Sequence, residues 1–253
     1  MHSNELLWEA DFSNRNTLEK DWNIESVPPR HVNNELQRYS HDTFKFENNE
    51  LIIETIKNNH DIKSGRINTK GKIEFQYGYI KGLMKFSGNK GLWPAFWMLG
   101  NTNHWPHCGE IDIMEVVTWN PYACYGTLHG GGYCGGNGYG NNGNKKINEP
   151  LANNYHKYAI EWTPNYINWF LDDQLYFTAT INDLHTHRNN SHWLFNDHPF
   201  YLILNNAVGG NFGGAFNDSE NYIYNNLPNY NEFRIKYIKI YKTKDGYGRV
   251  IRY

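Results

Sequence analysis

The stretch Cys108-Gly109-Glu110-Ile111-Asp112-Ile113-Met114-Glu115-Val116-Val117 reads as a β-strand with an acidic face. Successive side chains on a strand point to opposite faces, so Glu110 and Asp112 share one side while Ile111 and Ile113 share the other. Glu115 breaks the pattern: five positions from Glu110, regular alternation sends it to the apolar face. One β-bulge around Ile113-Met114 restores it, because an inserted residue shifts the alternation by one. All three acids then line one surface, with Ile111 and one of the bulge residues in the core. Such a strand belongs to a sheet with one face packed and the other wet.

The chain on either side repeats the same grammar. Short runs rich in Ile, Val, Tyr, Phe and Trp occupy residues 51–56, 75–86, 92–99, 111–117, 158–162, 166–171, 200–208 and 233–241, separated by Asn, Gly, Asp and Pro. Only residues 17–22 and 182–190 have room for a helical turn or two. Residues 169–177 form a hairpin with Asp172-Asp173 at its turn. Residues 130–144 (GGGYCGGNGYGNNGN) have the composition of a linker, but they interrupt a strand pattern and read as a long surface loop. About a dozen strands without intervening helices predict an all-β sandwich of two antiparallel sheets, residues 1–253 forming a single domain.

Composition narrows the function classes. The 253 residues carry 24 Lys+Arg against 26 Asp+Glu, a balance without the basic field of a nucleic-acid binder. The absence of a long apolar run excludes a membrane-spanning helix. Nine Trp, nineteen Tyr and 37 Asn in one chain suit a surface of flat apolar rings beside small amide hydrogen-bonders, which is what sugars require. Aromatic-rich sandwich cores share that composition. Cys108, Cys124 and Cys134 are odd in number and make no metal spacing, so an oxidised framework is not indicated. Sequons occur at Asn189 and Asn217.

Three acids on one strand face are either a solvated surface or a reactive one. Like charges this close oppose one another and call for a compensating role, and Trp93, Trp97, Trp105 and Trp119 bracket them in sequence. Retaining glycoside hydrolysis needs two carboxyl groups about 5–5.5 Å apart, one ionised to attack and one protonated to release the leaving oxygen. With the bulge, the Glu110 and Glu115 backbones are about 13 Å apart at about 3.3 Å per step, a gap that two inward-leaning Glu side chains largely close. Asp112, between them, modulates both, and an anionic neighbour raises the acid's pKa.

Glu110-Ile111-Asp112-Ile113-Met114-Glu115 resembles the active-site signature of glycoside hydrolase family 16, in the bulged Glu-x-Asp-x-x-Glu form associated with laminarinase-type endo-β-1,3-glucanases; the unbulged form belongs to lichenases. Other segments resemble the family in the same order: Asn33-Asn34-Glu35-Leu36-Gln37-Arg38-Tyr39, Ser64-Gly65-Arg66-Ile67, residues 91–100, Trp105-Pro106, residues 127–133, Asn205-Asn206-Ala207-Val208-Gly209-Gly210 and residues 234–241. The likeness covers about residues 6–242. It implies a β-jelly-roll sandwich, concanavalin-like, with a substrate cleft across its concave sheet. Glu110 would be the nucleophile, Glu115 the general acid/base, and Asp112 the residue that holds the nucleophile and tunes the pair. Asn34, Arg66, Trp93, Trp97, Trp105, His129 and Asn205 match substrate-binding positions, with Trp105 a stacking platform. Glu35 reads as structural.

There are departures. Many relatives bind calcium away from the cleft through an acidic residue on the final strand, where this chain has Lys236. A Lys cannot ligate calcium, so no metal or other cofactor is expected, and its ammonium is expected to pair with Glu9 or Asp11. His185-x-His187 and His104-x-x-His107 lack a matched third ligand. Phe212 stands where relatives often carry Trp after the double Gly.

The leading expectation is a retaining endo-β-glucanase cutting internal β-1,3 bonds of laminarin-like glucans, with mixed β-1,3/1,4 glucans as further substrates. The alternatives are a lichenase-like β-1,3-1,4-glucanase and a non-catalytic glucan-binding lectin, although binding-only relatives tend to lose the acids. A sulfated galactan would call for several cleft cations, and among the motif segments only Arg66 and Arg38 are obvious candidates. The expected partner is a β-glucan substrate, with no nucleic acid or membrane, and the protein is expected to be a secreted monomer; residues 1–5 show no apolar signal region.

Overall fold

The structure, a computed structural model, describes residues 3, 5–102, 104–140, 145–187, 191–214 and 219–253. The strands pair into two sheets stacked face to face. One contains the acid strand, Glu110–Glu115. Its path runs Tyr139–Gly140, Ala123–His129, Glu110–Glu115, Leu92–Gly100, Phe200–Val208, Arg66–Asn68 and Asn23–Ile24. The other, the backing sheet, runs Gln174–Thr180, Tyr166–Leu171, His156–Trp162, Gly78–Phe86, Tyr230–Tyr241, Glu50–Asn58, Asp61–Ser64 and Arg38–Tyr39. Among the described residues every pairing between these strands is antiparallel except Arg38–Tyr39 with Asp61–Ser64, which is parallel.

Strand alternation builds the core. From the backing sheet Tyr158, Ile160, Trp162, Ile167, Trp169 and Leu171 point inward, and from the acid-bearing sheet Phe96, Met98, Ile111, Leu128, Leu202 and Leu204 meet them. Each fully buried side chain of this size contributes about 1.5–3 kcal/mol. In Tyr230–Tyr241 the inward set changes phase, Phe233 and Ile235 giving way to Ile238 and Ile240, because the register with Gly78–Phe86 shifts between Ile235 and Tyr237. Phe200–Val208, between two neighbours and covered on both faces, is buried along its whole length.

The hairpin turn at Asp172-Asp173 has positive φ at both residues, 48° and 66°, as a two-residue connection matched to strand twist requires. The first helix, Arg15–Asp21, is capped reciprocally by Asn14 and Thr17. Ile181–His187 occupies the second expected site, while Ser219–Asn226 and the single turn Gly210–Gly213 were not legible in the sequence. In the described part of the glycine-rich segment, Gly135–Asn137 forms a 3-10 turn and Tyr139–Gly140 pairs with Thr127 and Leu128, while residues 141–144 lie outside the described residues. The sequons at Asn189 and Asn217 lie outside the described residues.

Candidate active site

The acid strand runs between Leu92–Gly100 and Ala123–His129. Against Ala123–His129 its register advances from Asp112↔Thr127 to Glu115↔Tyr125, three residues against two. Against Leu92–Gly100 it passes from Trp97↔Asp112 to Phe96↔Met114, two against one. This is the expected bulge, with one correction: Ile113 and Met114 are both buried in the core, rather than one of them. A bulge turns two adjacent residues toward the same side, so neither needs to face water.

The bulge puts Glu110, Asp112 and Glu115 on the outer face, where each meets a nitrogen of a ring side chain. Trp105 Nε1 donates to Glu110 Oε2 at 2.5 Å, and Trp93 Nε1 donates to Glu115 Oε1 at 2.9 Å. His129, on the next strand, places Nε2 3.1 Å from Asp112 Oδ2. Asp112 is 2% exposed, whereas Trp105 is 51% exposed, its ring left open to whatever lies on this face.

Burial and proximity act together on these acids. Desolvation first, and then the Asp112 charge, push Glu110 up to about 8; the indole N–H of Trp105 opposes them. Desolvation raises Glu115 to about 7, with the Glu110 charge in the same direction and Trp93 against it. Asp112 is driven well above the ordinary carboxylate range by its own burial and by Glu115. Three carboxyls so placed cannot all ionise at neutral pH, and the cluster retains protons that its members share. Glu110, Asp112 and His129 also bring one ligand atom each within 4.8 Å of one another. A cation there would have to displace those protons, since metal-binding carboxylates must be ionised.

The other expected binding residues extend the face. Trp97 Nε1 donates to Asn205 Oδ1 at 2.7 Å, and the Arg66 guanidinium lies over the Trp97 ring, 5.1 Å from its centroid. Asn205 is opposite both Ala95 and Arg66, and its Nδ2 donates to Tyr39 Oη at 3.1 Å. Tyr39 in turn donates to Glu35, a buried carboxylate that also accepts from Gln37 and Asn33. Arg66 is not a free cation: its Nε is 3.0 Å from Glu25. Asn34 lies off the sheet, in a turn with φ 56°, with its amide donating to Asn211 at 2.9 Å. Beside it Phe212 packs edge-on against Trp93 and Tyr125. Tyr39, Glu25 and Tyr125 were not singled out from the sequence; their ordinary residue types become informative only through the strands they face.

Trp119 does not join the acids. It packs against Tyr222 and the cluster around Ile223. Lys236 pairs with neither Glu9 nor Asp11, contrary to expectation. Glu9 is in register with Lys239 and bonded to it at 2.9 Å, while Lys236 reaches toward Glu50, 3.9 Å away, and the Tyr155 ring. The three cysteines are free thiols. His104 and His107 are exposed, and the side chains of His185 and His187 lie outside the described residues.

Residues 31–220 match the family Glycosyl hydrolases family 16. A beta-glucanase from Rhodothermus marinus is 37% identical over 83% of this chain and 77% of its own length. A glucan endo-1,3-beta-glucosidase from Cryptopygus antarcticus is 32% identical over 92% of this chain and 90% of its own. Among solved structures, a laminarinase from Flavobacterium sp. UMI-01 superposes with a TM-score of 0.79 at 36% identity, covering 94% of this chain and all of its own.

Proposed function

The chain belongs to glycosyl hydrolase family 16 and has its jelly-roll fold, and from that premise we propose a retaining endo-β-glucanase that hydrolyses internal β-1,3-glucosidic bonds. The observation that carries the reading is the bulged acid strand, with both outer acids held by indole N–H donors. Glycoside hydrolase activity follows from the family; bond preference and the roles of individual residues are the proposal.

In the first step Glu110 attacks the anomeric carbon while Glu115 gives its proton to the leaving glycosidic oxygen. A covalent glycosyl-enzyme forms, with retention after the second displacement. Glu115, now ionised, takes a proton from water, and the hydroxide equivalent releases the sugar. The acid must hold a proton at working pH, and a Glu115 raised to about 7 does so at and below neutrality. Glu110 must be ionised although it is raised still further, so its proton has to reside on Asp112, which is also raised and hydrogen-bonded to it. Asp112 then donates to the nucleophile, and His129 stands against its other oxygen.

Trp105, Trp97, Trp93, Asn205, Arg66 and Asn34 are assigned to the sugar. Trp105 offers its exposed ring as a stacking platform, and the network from Glu35 through Tyr39 to Asn205 fixes polar groups for hydroxyls. A neutral glucan fits the charges: Arg66 is neutralised by Glu25, and Arg38 pairs bidentately with Asp61. The calcium site implied by the family resemblance does not fit a chain with Lys236 at the ligand position, and no step uses a metal. Among the described residues no helix is long and apolar enough to cross a membrane. We assign residues 1–253 to one catalytic domain acting as a secreted monomer, since a polymeric glucan meets an enzyme outside the cell.

Product analysis tests the reading. Laminarin should yield a ladder of oligosaccharides released with retained β-configuration by proton NMR, with slower cleavage of lichenan and none of agarose. Inversion at the anomeric centre, or glucan binding without cleavage, would sink it.

A further inference from the structure

Whether all three acids face outward depends on where the bulge lies. Moving it one residue along the strand would turn a different side chain into the core, because each slip exchanges the two faces. Hydrogen bonds along the ladder do not choose the position by themselves, since they are disrupted wherever the extra residue is placed. A feature outside the acid strand meets it at that point. Trp169, on the backing-sheet strand Tyr166–Leu171, sends its indole N–H through the core to the main-chain carbonyl of Asp112, 2.7 Å away. Asp112 is the last residue paired on both sides before the register breaks.

The approach is built from both sheets. Trp169 is fully buried, in register with Ile160 and Phe177, and its ring lies 4.8 Å from that of Phe177. On the acid-bearing sheet, the strand next to the bulge has Gly126 where the indole passes. A Cβ there would stand 2.4 Å from Trp169 Cδ1 and 2.7 Å from Nε1. Stacked sheets are about 10 Å apart, and the buried indole of Trp169 carries an N–H donor into that gap. A buried N–H must find an acceptor, and here the acceptor is the bulge itself.

We propose that Trp169, given room by Gly126, is a positioning residue: its indole N–H pins the bulge at Asp112 and so sets where Glu110 and Glu115 stand. The inference rests on the proposed catalytic roles of those two acids. Trp169 touches no substrate; it acts through the backbone of the strand that does.

The test measures kcat, KM and the pH–rate profile of the full chain on laminarin for Trp169→Phe, Gly126→Ala and Leu171→Ala, beside Glu110→Gln and Glu115→Gln. Trp169→Phe keeps a ring and loses the donor, while Gly126→Ala pushes on the intact indole. Both should lower kcat by about tenfold to a hundredfold, because displacement of about 1 Å has that effect, with KM within about threefold. Both should also shift the pH–rate profile, which a general loss of packing would not do. Leu171→Ala, on the same strand and equally in the core, should lower thermal stability while leaving kcat and the pH profile as they were. Should Trp169→Phe fail to fold, Gly126→Ala decides by the same readings. Wild-type kcat and pH profile in both variants, in an enzyme silenced by Glu110→Gln and Glu115→Gln, overturn the positioning role alone. Full activity in those two Gln variants overturns the reading of the acids, and the positioning role with it.

Discussion

The outer faces of the two sheets treat carboxylates in opposite ways. On the backing sheet acids meet cations: Arg234 is bonded to Glu232 and Glu47, Lys63 to Asp42, Lys239 to Glu9 and Lys157 to Asp173. Two of these acids are held down in pKa, Glu232 below its usual range chiefly through the Arg234 hydrogen bonds, and Asp42 to about 2 beside Lys63. On the acid strand, among the described residues, no Lys or Arg pairs with Glu110, Asp112 or Glu115; their neighbours are indole N–H groups, an imidazole and one another. There the shifts run upward, to about 8 for Glu110 and about 7 for Glu115. The same side chain serves as a fixed anion on one face and as a proton carrier on the other. Burial without a cation to offset it is what makes the difference.

The largest expected effect comes from removing the carriers. Glu110→Gln or Glu115→Gln should lower kcat on laminarin by about four orders of magnitude or more, as loss of one member of a concerted pair does. Each should also stabilise the fold in alkali. An acid whose folded pKa lies above its unfolded value binds protons more tightly in the folded state. Its ionisation therefore costs stability progressively as pH rises from about 4.5 through about 7–8. The Gln variants should match the parent near pH 4 and melt higher at pH 9, by about 2–4 °C for each kcal/mol recovered. A lower melting temperature at pH 9 would mean that the acids are held by contacts the geometry does not display.

A smaller effect isolates the indole donors. The Trp93 N–H favours the ionised form of Glu115, so its removal raises the pKa of that acid. In Trp93→Phe the alkaline limb of the pH–rate profile should move upward, with a loss of about tenfold at the optimum. A limb that stays in place or moves down would separate Trp93 from the proton balance.

The smallest effect belongs to the backing sheet. Arg234→Met should cost about 1 kcal/mol in urea unfolding at pH 7, a modest figure because its partners retain contact with water and solvent screens the pairs. The contribution of Glu232, whose pKa is depressed, is present above its unfolded value and is lost as pH falls through the folded one. The gap between variant and parent should therefore narrow toward pH 3, with kcat unchanged throughout. An equal loss of activity would show that the two faces are coupled.

What could be read in the sequence follows from periodicity. Alternation and one misplaced Glu suffice to assign the strand, its bulge and the face shared by the acids, and Asp172-Asp173 marks a hairpin by the backbone angles those residues tolerate. Ser219–Asn226 left no such trace, because Ile223 is its one fully buried apolar side chain, and Tyr222 beside it is exposed. Lys236 and Lys239 are three residues apart on a strand whose register shifts between Ile235 and Tyr237, so sequence alone misassigned the cation that meets Glu9. Trp169 carried no mark at all. Its tie to Asp112 crosses the sandwich, and nothing local distinguishes it from any other core tryptophan.

The separation in sequence of the segments that meet beside the acids has a consequence for how the molecule comes into being. Trp97 meets Asn205 across 108 positions of chain, and Asn205 meets Tyr39 across 166. Contacts between such distant segments pay the entropy of closing long loops before they return anything, which makes topologies of this kind slow to assemble. No early hairpin contains the whole acid-bearing face, and a half-folded chain presents its aromatic rings without their partners from distant strands. Regained hydrolysis is thus a stricter measure of successful refolding than regained β-structure.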